Sequence, residues 1–204
     1  MMLGARTGAW AGKALPYDAE VEWIRGDGSA YVDTGFDYSQ ETDEVSIEFN
    51  VAGSSAWNRN IILGAYESGS TNFWISISTG GMLQIIFANS QRSYSITGDA
   101  VVTLVGKTVS ANGEQWTFTG DYIASLPLFM FGRNNNGAVD NRNSTVKIYS
   151  FVARRNGVVI LDLIPVKFTN SLGVSEGAMY DRVSDKLFRN QGTGAFVIGP
   201  DKTT

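Results

Sequence analysis

Histidine and cysteine are both absent from the 204 residues. Without them no Ser-His-Asp or Cys-His nucleophile can be assembled. Zinc sites rest on the same two side chains, and disulfides need cysteine, so conventional zinc chemistry and covalent staples are excluded. Charge is scarce as well, at 18% of residues, and the formal net charge is −4. An acidic chain of this kind is a poor partner for phosphate backbones and anionic membranes. Nucleic acid is therefore not an expected partner. Long apolar runs are missing too: the best one, Val158 to Val166, is interrupted by Asp162 and Pro165. It falls short of the ~18 residues a helical span requires, and membrane insertion is not expected. Carboxylate catalysis, oxygen-ligated metals and non-covalent recognition are what remain.

Glycine is plentiful at 23 residues against 4 prolines. The first stretch, residues 1–18, carries one early arginine but no continuous apolar segment of signal-peptide length. It reads as an N-terminal arm or linker, through which the protein could join an oligomer or larger assembly. A single domain is expected over residues 19–204.

Within that domain the hydrophobic pattern has a period of two. Val45, Ile47 and Phe49 alternate with Glu44, Ser46, Glu48 and Asn50; Phe73, Ile75 and Ile77 alternate with Trp74, Ser76 and Ser78. Trp116 and Phe118 alternate with Gln115, Thr117 and Thr119. Such alternation marks strands with one face in a core. Asn112-Gly113 separates the runs Thr103–Ser110 and Glu114–Thr119, and Asn156-Gly157 separates Val146–Arg155 from Val158–Ile164. Asn-Gly in that setting predicts a tight hairpin, because both central residues of a type I′ turn need positive φ. Thr79-Gly80-Gly81 predicts a third turn. The fold class expected is all-β, a sandwich of two antiparallel sheets. The stretch Arg133 to Ser144 is too rich in Asn and Gly for a strand interior and reads as a long surface loop. Trp23 and Trp116 read as core residues.

Paired carboxylates would permit glycoside hydrolysis. Glu44 and Glu48 share a strand face, but at ~3.3 Å per residue they lie roughly 13 Å apart, beyond either catalytic spacing. Gly106-Lys107-Thr108 imitates the end of a phosphate loop, yet position 101 is Val101 rather than glycine and no helix follows. Arg25-Gly26-Asp27 spells an integrin-type tripeptide inside a glycine-rich turn, and Asn143-Ser144-Thr145 is a glycosylation sequon. Calcium is the one metal with candidate ligands: Asp140, Asn141 and Asn143 offer hard oxygens, though Arg133 and Arg142 oppose a cation. No other cofactor is expected.

Aromatic rings flanked by amides and charges are what a carbohydrate site needs, the rings for stacking and the polar groups for hydroxyls. Trp57, Tyr66 and Trp74 stand in or beside polar loops, with Trp74 on the strand face away from the core. Arg133, Asn134, Asn135, Asn136, Asp140, Asn141 and Arg142 supply the polar partners. These ten residues are the candidate ligand-binding set.

Four strings then stand out in order. Ile24-Arg25-Gly26-Asp27-Gly28-Ser29-Ala30-Tyr31-Val32-Asp33-Thr34-Gly35 resembles the opening motif of concanavalin A-like (laminin G-like) jelly-roll domains. Leu128 to Gly137, Ile148 to Phe151 with Asp162 to Val166, and Met179 to Phe196 resemble that group's later motifs. The resemblance covers about residues 20–200. It implies a jelly-roll sandwich of the kind found in gut bacterial surface proteins and phage tail proteins. It implies in turn an extracellular, cell-surface or virion-associated setting. Related glucanases carry a Glu-x-Asp-x-x-Glu strand; Glu41 and Asp43 match its start, but position 46 is Ser46. The shorter Glu-x-Asp-x-Glu form fails at Val45. The expectation is a non-catalytic recognition module for a surface glycan or receptor. A ligand-free structural spacer and a glycoside hydrolase are the alternatives.

Overall fold

The computed structural model describes residues 14–51, 60–68, 71–78, 80–123, 126–140 and 144–203. Among them there is no helix, and the strands form two sheets packed face to face. The larger sheet runs in the order Glu114–Thr117, Thr108–Ala111, Asp99–Val105, Asp43–Asn50, Lys147–Arg155, Val158–Thr169, Ser175–Asp181, Lys186–Phe188. The smaller runs Ala138–Asp140, Arg133–Asn135, Asn60–Tyr66, Asn72–Ile77, Met82–Phe87, Ser90–Ser95. Pairing is antiparallel with one exception among the described residues, the parallel contact of Arg133–Asn135 with Asn60–Tyr66.

The alternating residues fill the space between the sheets. Val45, Ile47 and Phe49 of one sheet and Phe73, Ile75, Ile77, Leu83, Ile85 and Phe87 of the other are buried in a single core. Tyr38 packs its ring on Phe73 and Phe87 and donates its hydroxyl to Gly106 O at 2.7 Å. Trp116 is half-buried against Tyr94 at the margin of this core. Trp23 departs from expectation. It is only half-buried, with the Lys147 ammonium 4.3 Å from its ring centroid, and it stands just ahead of the two-residue strand Ile24–Arg25, in which Ile24 takes the core position instead.

Two hairpins form where Asn-Gly predicts them, with φ of 48° and 89° at Asn112 and Gly113 and of 51° and 77° at Asn156 and Gly157. Thr103–Ser110 is not one strand: Gly106, at φ 57°, breaks it into the hairpin Asp99–Val105 and Thr108–Ala111. The phosphate-loop imitation is that turn. Residues 133–140 are likewise a hairpin rather than a loop, turning at Asn136 (φ 52°) and Gly137 (φ 85°). Of the proposed arm, Tyr17 stacks on the edge of Tyr180 and the Asp18 N–H donates to Lys167 O at 2.8 Å.

The two ends of the domain are knitted together. The Asp27 carboxylate accepts from Ser29 N–H, Ala30 N–H and, 168 residues away, Ala195 N–H. The Asn190 amide accepts from Tyr31 N–H and Gly192 N–H and donates to Gly192 O and Gly194 O. Gln191 N–H donates to Tyr31 O at 2.9 Å. A Cβ on Gly192 would lie 1.8 Å from Ser29 O, which is why glycine stands there. The integrin-type tripeptide belongs to this clasp, and its Asp27 is engaged by backbone.

Candidate functional site

On the strand Asn72–Ile77 the residues facing away from the core are Trp74 and Ser76. Cross-strand pairing sets Trp74 opposite Ile86 and Ser76 opposite Gln84 on one side, and opposite Gly64 and Ile61 on the other. Gly64 is required: a Cβ there would meet Trp74 Cβ at 2.4 Å. Ile61, Trp74 and Ile86, with Tyr66 against them, make a small apolar cluster on the outer face of the smaller sheet. Trp74 is 8% exposed, so the open platform its polar strand face suggests is not what the fold provides. Isoleucines from both neighbouring strands enclose it.

The hairpin at 133–140 adds charge to this cluster. Arg133 stands opposite Asp140 in register, and its Nη2 donates to Asp140 Oδ2 at 2.6 Å. The guanidinium carbon lies 4.5 Å from the Trp74 ring centroid and 4.7 Å from that of Tyr66. The two rings meet edge to face, 6.1 Å apart. Arg133 thus fills the angle between two aromatic faces, an arrangement worth ~1–2 kcal/mol when shielded from water.

Four polar atoms on this face are buried and have no hydrogen-bond partner: Trp74 Nε1, Ser76 Oγ, Gln84 Oε1 and Arg133 Nε. Each such group costs ~1–3 kcal/mol relative to a satisfied one. Tyr66, half-buried, and Asp140, its side chain 20% exposed, lie at the rim.

Of the ten candidate residues, Tyr66, Trp74, Arg133 and Asp140 come together here. Asn134 belongs to the turn instead: its Nδ2 donates to Pro127 O and its Oδ1 accepts from Gly137 N–H. Asn136 is the exposed turn residue, donating its N–H to Tyr66 O. Asn135 is half-buried, beside Tyr66 in the parallel pairing. Trp57, Asn141, Arg142 and Asn143 lie outside the described residues. Ser76 and Gln84 are additions to the set; the alternation within Asn72–Ser78 and Met82–Phe87 is the signal that places them with Trp74. As a calcium ligand, Asp140 is compromised by the guanidinium it faces. Among the described residues, no three acidic side chains gather as a metal site would need.

The carboxylates on the larger sheet are arranged differently. Asp43, the match to the glucanase strand, has a fully buried side chain held by Arg155 Nε and Nη2 at 3.0 and 2.9 Å. Burial alone would push its carboxyl up, but Arg155, Ser39 N–H and the Thr42 hydroxyl outweigh it and hold it below the usual range. Glu44 pairs with Arg154. Glu48 and Asp99 line an open depression of about 520 Å³ with Glu22, Tyr149 and Arg182. They are diagonal neighbours across the pairing of Asp43–Asn50 with Asp99–Val105, ~7–8 Å apart by sheet geometry. Both are exposed, and Asp99 accepts from Asn50 Nδ2 and the Tyr149 hydroxyl.

No family model matches the chain, and no curated protein matches it. Among solved structures, it is similar to a point mutant of NanB sialidase from Streptococcus pneumoniae, with 9% identity and a TM-score of 0.41. The match covers 87% of this chain and 39% of that one, so the chain spans well under half of that protein's length. A likeness this shallow carries no argument about sites or activity.

Proposed function

We propose that the domain is a non-catalytic recognition module of the concanavalin A-like jelly-roll kind, holding a glycan at the Trp74 face. The observation that carries the reading is the set of four buried, unpartnered polar atoms beside two aromatic rings. Buried polar groups are almost always satisfied, and a cluster of exceptions calls for a missing partner. Hydroxyls supply such partners, directly or through ordered water on the floor of the site. The setting that goes with it is an extracellular, cell-surface or virion-associated assembly, joined through residues 1–18.

A glycan array probed with the purified domain, with and without calcium, tests this. Binding should appear for the wild type and fall at least about tenfold for Tyr66→Ala, which alters the rim. Calcium should leave it unchanged. If the array stays blank, the spacer reading takes its place.

One placement favours a hydrolase: Glu48 and Asp99 are diagonal neighbours on one sheet face, and an inverting pair needs two carboxyl groups facing each other across ~6.5–9.5 Å. Against it, a general acid must be kept protonated by an apolar environment, and both carboxyls are exposed. Incubation with any glycan that binds should release no reducing ends. Release that disappears in Glu48→Gln would make the protein an enzyme.

A further inference from the structure

Resting on that binding reading, we infer that the Arg133–Asp140 pair makes the Trp74 face select uncharged polyhydroxy ligands, with Asp140 the specificity-determining residue. The unsatisfied atoms define what a ligand must offer. Trp74 Nε1 and Arg133 Nε carry hydrogens and need acceptors. Gln84 Oε1 needs a donor, and Ser76 Oγ takes either role. A carboxylate, sulfate or phosphate only accepts, so it leaves Gln84 Oε1 facing a lone pair. A hydroxyl gives and accepts at once, so a polyhydroxy ligand can answer both kinds of need in the set.

Charge excludes the other classes. Among the described residues the one guanidinium on this face already has its counter-ion, with Arg133 and Asp140 side chains only 10% and 20% exposed. An incoming anion would meet Asp140 at the rim before it reached Arg133, and the two like charges would repel. An incoming cation fares no better. The ring faces of Tyr66 and Trp74 that would attract it are taken by Arg133, itself positive.

Removing the charge of Asp140 while keeping its shape should therefore change which sugars bind. The test is a titration of neutral oligosaccharides against their uronic-acid and sulfated counterparts, on wild type, Asp140→Asn and Asp140→Glu. The wild type should prefer the neutral member of each pair by about tenfold or more. Asp140→Asn should lose or invert that preference, because Arg133 becomes available to an anion, and Asp140→Glu should restore it. A wild type that binds acidic glycans as well as or better than neutral ones overturns the inference and leaves the binding reading intact. So does a folded Asp140→Asn with an unmoved ratio. Failure of every protein to bind any glycan overturns both. The wild-type ratio decides the matter even if Asp140→Asn fails to fold.

Discussion

The clasp that joins the chain's ends and the outer face of the smaller sheet handle polar groups in opposite ways. At the clasp, Asn190 and Asp27 lie where water could reach them, yet the Asn190 amide makes four backbone hydrogen bonds and the Asp27 carboxylate three. On the Trp74 face four polar atoms are buried without a hydrogen-bond partner. Folding alone would favour the reverse, since an unsatisfied group costs most where solvent cannot compensate. The saturated region is built for stability. The unsaturated one carries a cost of ~1–3 kcal/mol for each buried group left without a partner.

The largest effect should come from the clasp. Gly192→Ala drives a methyl into Ser29 O, and backbone on both sides leaves no flexible group to yield. Loss of about 4 kcal/mol or more is expected, the range reserved for steric and buried-network failures. Urea denaturation measures it. A loss below about 1 kcal/mol would mean the ends are not locked together.

Next is Trp74→Ala. With the indole enclosed by Ile61 and Ile86, truncation should cost about 3 kcal/mol in the same assay. An open surface ring would cost under about 1 kcal/mol, and that outcome would dissolve the contrast by exposing the face to water.

How far these two regions could be read from sequence differs for a physical reason. The hairpins at Asn112-Gly113 and Asn156-Gly157 were legible because the requirement for positive φ is local. The same rule applied to Asn136-Gly137 gives the register Asn135–Ala138, Asn134–Val139, Arg133–Asp140, and with it the ion pair. The polar composition of 133–144 masks that turn. The outward direction of Trp74 is legible from alternation, but its burial is not, since Ile61 and Ile86 become neighbours only once three strands are in register. The clasp is the extreme case: Asn190 and Tyr31 are 159 residues apart, and nothing in either string names the other. The motifs were visible as strings; what they hold was not.

A matched pair of polar truncations sharpens the contrast further. Asn190→Ala removes four hydrogen bonds and leaves the Tyr31 and Gly192 N–H groups without their acceptor, so a loss of about 2 kcal/mol is expected. Ser76→Ala removes a buried hydroxyl that bonds to nothing, and should be neutral or stabilising by up to about 1 kcal/mol. Opposite signs from two such changes would be hard to obtain if both regions were ordinary structure. A clear loss in Ser76→Ala would show that its hydroxyl has a resident partner.

Acid sensitivity separates the regions more gently. Burial pushes the Asp27 carboxyl up, but the N–H groups of Ala195, Ser29 and Ala30 outweigh it and the net shift is downward. A carboxyl lowered on folding contributes stability that is complete above its unfolded value, ~3.9, and lost as pH falls through the folded value. Stability should therefore decline below about pH 4, and less steeply in Asp27→Asn than in the wild type. Identical acid limbs would remove Asp27 from the account of the clasp.

The smallest effect expected is none at all. Asp140 is the sole calcium candidate among the described residues, and its Oδ2 receives Arg133 Nη2 at 2.6 Å. A calcium ion bound there would have to displace the guanidinium or sit beside it, and a positive neighbour weakens an oxygen site for a cation. Excess EDTA should then leave the thermal midpoint where it is, and added calcium should not raise it. A calcium-dependent rise would require Asp140 to have left Arg133. That would turn the Trp74 face from a charge-balanced site into one with an uncompensated arginine, and its ligand would then be expected to carry negative charge.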